Sequence, residues 1–185
     1  MFLPHPLAKP SDNHFPIRVQ VLEPYDIHRL NAAVGWLGLN CPAEARVELD
    51  AIAPAHQSHP AVLEARWLLL AHEKNWQDAL AVAERELAAV PEQASGWLHR
   101  AYALRRVAGG GLAPAWDALL PAAEKFPTEA VIAYNLSCYA CQLNNMDVAR
   151  LWFNRAVEVG SKDAIQKMAL ADDDLKPLWA EIENM

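Results

Sequence analysis

Residues 128–159 read TEAVIAYNLSCYACQLNNMDVARLWFNRAVEV, and the apolar pattern in this string decides the fold. It predicts two helices, 128–143 and 146–159, separated by Asn144 and Asn145. Asn145 is the residue type that caps a helix by accepting a backbone N–H. Ala149, Phe153 and Ala156 then recur at helical spacing along the second helix.

Working outward, the same arrangement returns three times. Ala45, Ala79, Ala115 and Ala149 each stand near the start of a second helix, at intervals of 34, 36 and 34. The longer interval contains Gly109-Gly110-Gly111, where two extra loop residues fit. Pro91 and Pro127 repeat the interval of 36 at the ends of two segments. The helix pairs expected are 26–39 with 42–53, 60–73 with 76–89, 93–108 with 113–125, and 128–143 with 146–159. Pro42 and Pro60 fall near helix starts, where a missing N–H costs little. A single pair cannot bury its apolar face, so pairs must stack and share a core.

These segments resemble the tetratricopeptide repeat family. The residues that carry the likeness are Tyr134-Asn135-Leu136-Ser137, Ala149, Phe153 and Ala156 in the fourth segment, and Trp97, Ala101, Leu104, Ala115, Leu119, Ala122 and Pro127 in the third. Ala79, Ala83 and Pro91 carry it in the second, with bulky Trp67 where the family prefers a small residue. Ala33, Trp36, Ala45 and Leu49 carry it in the first. The resemblance implies an all-α, right-handed superhelical α-solenoid of about four helix pairs over residues 26–160. Residues 161–185 then supply C-terminal capping helices, the second of them preceded by Asp172-Asp173-Asp174. Ala169 to Trp179 is also similar to the tails of bacterial proteins of this kind. Residues 1–25 hold five prolines (Pro4, Pro6, Pro10, Pro16 and Pro24) and form an extended arm. Ile17, Val19 and Val21 give it a weak strand alternation. Two readings of the arm stand: a loose tail, or a segment lying against the solenoid.

Composition narrows the function. The net charge of −7 argues against nucleic acid and anionic membrane as partners. No basic-then-apolar leader opens the chain and no run of about 18 apolar residues occurs, so a cytoplasmic protein is expected. An odd count of three cysteines does not suggest a disulfide framework. Cys138-Tyr139-Ala140-Cys141 is a CxxC, but it falls in mid-helix, where no helix N-terminus lowers a thiol pKa. It has no second ligand pair for zinc, so no metal or cofactor is expected. His56 and His59 read as a solvated turn. Gly109-Gly110-Gly111 follows a helix and lacks a trailing Lys-Ser or Lys-Thr, so it is a loop and not a phosphate cradle.

What remains is a surface. By register with the family, a groove for an extended peptide is lined by Tyr102, Arg105, Arg106, Tyr134, Asn135, Cys138 and Gln142, and His99 joins it as part of a basic cluster with Arg100, Arg105 and Arg106. Guanidinium groups bind carboxylates bidentately, which fits an acidic protein or peptide partner. Leu30 and Val34 stand where the family's full carboxylate clamp carries Lys and Asn. The plainer reading is that these arginines pair with neighbouring acids or solvate a helix face. The expected function is therefore a non-catalytic protein-interaction scaffold. The alternatives are a self-associating structural protein, or a thiol protein using Cys138 and Cys141.

Overall fold

The computed structural model describes residues 21–185. Among them every regular element is helical and no strand occurs. Ten α-helices are formed among the described residues: α1 Pro24–Gly38, α2 Pro42–Asp50, α3 Pro60–His72, α4 Trp76–Ala89, α5 Ala94–Leu104, α6 Leu112–Lys125, α7 Ala130–Gln142, α8 Met146–Val159, α9 Lys162–Ala169 and α10 Trp179–Ile182. Short 3-10 helices cover Pro54–His56 and Asp173–Leu178. The chain divides into two compact units, with the boundary between His99 and Arg100 inside α5.

The helix starts follow the punctuation in the sequence. Pro24, Pro42 and Pro60 are the first residues of α1, α2 and α3. Asn75 and Asn145 cap α4 and α8 by accepting from the N–H groups of Asp78 and Val148. The turn inside each pair is also repeated. Asn40, Lys74 and Asn144 have positive φ (61°, 58° and 60°), as does Gly109 (78°). In each non-glycine case the next residue's N–H returns to a carbonyl five residues back: Cys41 to Trp36, Asn75 to Leu70, and Asn145 to Ala140. This left-handed residue with its long return bond satisfies the carbonyls at the end of a helix. It reverses the chain within three residues. The glycine turn is longer, and Gly110 is needed there because a Cβ would lie 1.9 Å from the Leu104 carbonyl oxygen.

The marker alanines all point inward. Ala45, Ala79, Ala115 and Ala149 are each fully buried, as are Leu49, Ala83 and Leu119 four residues later, with Phe153 nearly so. This i, i+4 stripe is how a helix presents one apolar face. In the first unit, α1, α2 and α3 pack together around Ala33, Ala45, Leu49, Val62, Ala65 and Leu69, and α3 packs also on α4. In the second, α7 is the central helix, packed by α6, α8 and the C-terminal 3-10 helix. Ser137 donates to the Ala149 carbonyl at 2.8 Å, closing α7 on α8. Trp152 meets Trp116 edge to face, with ring centres 6.5 Å apart.

Three expectations need correction. The arm ends earlier than residue 25, because Pro24 already opens α1 and Leu22 is buried with the first core. The rest of the arm and its Ile17 and Val19 alternation lie outside the described residues. The second capping element is mostly a 3-10 helix: Asp172 caps it by accepting from the Asp174 N–H, and Pro177 has no N–H to donate. Finally, His56 is not in a solvated turn. Its ring donates to Asp26, and both side chains are buried. The loop around it is held by Gln57, whose amide reaches the Leu49 and Ile52 carbonyls at 2.9 and 2.8 Å. His59 caps α3 by accepting from the Ala61 N–H.

Candidate functional site

Tyr134, Cys138 and Gln142 are four residues apart on α7, so they form one row along its surface. All three meet the C-terminal segment of the same unit. The Tyr134 hydroxyl donates to Asp172 Oδ2 at 3.0 Å, and the Cys138 thiol lies 3.8 Å from the same oxygen. The Gln142 amide donates to the Asp174 carbonyl at 2.9 Å. Arg105, the residue after α5, completes the wall. Its two terminal nitrogens grip the two carboxylate oxygens of Asp174, the Nη2–Oδ1 bond being 2.7 Å. This is the fork geometry that makes arginine–carboxylate pairs both strong and directional. Arg105 also lies 5.6 Å from the centre of the Tyr139 ring.

The electrostatics follow from burial and from these contacts. Burial pushes the Cys138 thiol well above its ordinary range, and the Asp172 and Asp174 charges add to the effect. Burial likewise raises Tyr134, helped by the neighbouring thiol and Asp172. Both groups therefore keep their protons at neutral pH and act as donors to Asp172. Burial works against the charge on Asp174, but the Arg105 fork outweighs it and holds that carboxyl below its usual value. The Arg105 guanidinium is raised in turn, chiefly by the same hydrogen bonds.

The remaining residues singled out from sequence behave differently. Arg106 stacks on Tyr102, its guanidinium carbon 3.4 Å from the ring centre, and donates to the Tyr102 carbonyl at 3.1 Å. Burial lowers the Arg106 pKa and raises that of Tyr102. Asn135 turns its amide back onto the Val131 carbonyl of its own helix, at 2.8 Å. Tyr134 and Cys138 are buried beneath the C-terminal segment, so the wall is closed and not an open groove.

His99 is a core residue of the first unit and does not line a groove. It is 4% exposed, stacks flat on Trp67 with ring centres 3.9 Å apart, and bonds to Glu86 at 2.7 Å. Ser95 donates to the other Glu86 oxygen at 2.6 Å. Glu86 stands on the buried stripe of α4, where the matching positions elsewhere are Ile52, Ala122 and Ala156. Bulky Trp67 and acidic Glu86 are thus compensating departures from the repeat. Sequence reasoning missed that pairing, although a glutamate on an otherwise apolar stripe was the signal available. The basic cluster expected around residues 99–106 is accordingly neutralised in part: His99 meets Glu86, and Arg105 meets Asp174.

Cys138, Asp172 and Asp174 place three ligand-type atoms within 4.8 Å of one another. Arg105 already holds both oxygens of Asp174, and the Tyr134 hydroxyl holds Asp172, so the carboxylates are satisfied by donors. The raised thiol pKa of Cys138 is the reverse of what a redox CxxC requires, and burial raises Cys141 as well. No helix among the described residues is long and apolar enough to cross a membrane. Compared with known proteins, the chain matches no family model and no curated sequence.

Proposed function

We propose that the protein is a non-catalytic helical-repeat scaffold of the tetratricopeptide type, whose stacked pairs form a right-handed solenoid. It holds an acidic segment of another protein against the wall made by α7 and the end of α5. One observation carries this reading: that wall already accepts an acidic segment of its own chain through an arginine fork, a phenol, a thiol and an amide. The four buried alanines and the recurrent left-handed turn support the repeat assignment. Tyr102 and Arg106 lie beside Arg105, adding aromatic area and a second guanidinium, and Asn135 joins them by the register of the repeat.

The test places a photo-crosslinking amino acid at Asn135 or, as control, at Leu151, which is 65% exposed on α8. After irradiation in extract of the expressing cells, a protein captured from position 135 and lost in Arg105→Ala/Arg106→Ala supports the reading. Equal capture from position 151 removes it.

A second reading is self-association. Leu39 and Val47, 69% and 66% exposed in the first helix pair, offer apolar surface for it. Light scattering on the full chain and on Leu39→Ser/Val47→Ser decides it: a concentration-dependent dimer that the substitutions abolish supports this reading, and a monomer at every concentration excludes it.

A further inference from the structure

We propose that Asp172–Leu178 is an internal ligand that closes this wall, and that the guest replacing it carries two carboxylates two residues apart followed directly by a leucine. This deepens the reading above and rests on it.

The segment is used in the way a bound peptide is used. Asp172, Leu175 and Leu178 are buried and Asp174 is half-buried, while Asp173, Lys176 and Pro177 face outward. The wall's side chains thus reach the two aspartates and the Asp174 carbonyl, with Leu175 buried directly after them. Every side-chain donor from the wall lands on a group that any peptide of that pattern offers: two carboxylates and one backbone carbonyl. The wall is built for carboxylates in particular. Three of its donors, a guanidinium, a phenol and a thiol, land on the two carboxylates, in a chain whose net charge is −7. Such donors facing an apolar guest would be left buried and unpaired. The segment itself is a 3-10 helix, a form with poorer hydrogen bonds than an α-helix.

Tethering explains why the wall is closed. A short linker gives an attached ligand an effective concentration of about millimolar order. A guest with equal contacts therefore competes poorly until the internal carboxylates are removed or the guest adds contacts of its own. Tyr102 and Arg106 lie next to the Arg105–Asp174 pair, at the edge of the wall.

The probe is a fluorescein-labelled peptide with the sequence of residues 169–182 (ALADDDLKPLWAEI), read by anisotropy against the full-length protein. Asp172→Asn/Asp174→Asn should bind it at least ten-fold more tightly than wild type does. Adding Arg105→Ala should weaken that binding at least ten-fold. A control peptide with Asn at both acid positions should bind at least ten-fold more weakly. An opened protein that keeps its helical circular dichroism but ignores the acidic peptide, or takes both peptides alike, overturns the proposal.

If the double variant does not fold, alkylation of Cys138 in wild type replaces it. The thiol lies under Asp172. Modification faster than global unfolding supports a segment that lifts, and modification at the global rate overturns it. The two readings fail separately. Peptide capture without a crosslinked partner at position 135 keeps the internal ligand and removes the wider function. Partner capture without peptide binding does the reverse.

Discussion

Enlarging Ala149 to leucine tests the helix-pair contact at a fully enclosed point. The Ala149 side chain has no exposed surface, and its carbonyl accepts the Ser137 hydroxyl at 2.8 Å. Three added carbons would contribute roughly 2 kcal/mol by burial if the contact had room for them. Between α7 and α8 they must instead force the helices apart, at a cost of about 1–3 kcal/mol. Losing the Ser137 bond adds about 1 kcal/mol. The expected destabilisation is therefore about 2–4 kcal/mol. With a urea slope of about 2 kcal/mol per molar, the unfolding midpoint drops by roughly 1–2 M. Circular dichroism during a urea titration measures it. Leu151→Ala on the exposed side of α8 is the control and should stay within about 0.5 kcal/mol of wild type. An Ala149→Leu midpoint equal to that control would refute the claim that these alanines set the spacing between paired helices.

Glu86→Ala should cost about 1–3 kcal/mol for buried His99 left without its partner, and less for half-buried Ser95, whereas Glu86→Gln should recover part of the loss. Urea midpoints of the two variants check this. Stability should fall on acidification because the carboxyl groups of Asp26 and Asp174 are held below their usual value of 3.8. For Asp26 the main cause is the His56 hydrogen bond. A depressed carboxyl contributes stability that is complete above its unfolded pKa and is lost as pH falls through the folded one. Urea midpoints taken from about pH 5 downward should therefore decline less steeply in Asp26→Asn than in wild type. Near neutral pH, Cys138 and Cys141 should react with a thiol reagent more slowly than half-exposed Cys41, since burial holds their protons. Peptide mapping after brief alkylation gives the order.

The elements legible in the sequence are those with short-range causes. Helix periodicity, proline at helix starts, asparagine caps and the recurring alanines all act within one or two turns, and each predicts its element to within a few residues. α5 stops at Leu104 instead of continuing to 108, because the glycine loop draws the chain into its turn early. The site was legible only as a list of wall residues. Its occupant was not, because Arg105 and Asp174 are 69 residues apart and no local pattern links them. The same holds for Asp26 with His56, 30 residues apart, and for Trp67 stacked on His99. Each half of these pairs reads as an oddity by itself, a histidine in a loop or a tryptophan at a small-residue position. Only packing shows that the oddities compensate.

Hydrogen exchange on the full chain, alone and with a partner captured at position 135, tests the central claim most directly. Peptides covering residues 172–178 should lose protection when the partner binds, while those covering 131–142 stay protected. Unchanged protection at 172–178, or changes confined to α1 and α2, would contradict the assignment of this wall as the binding surface.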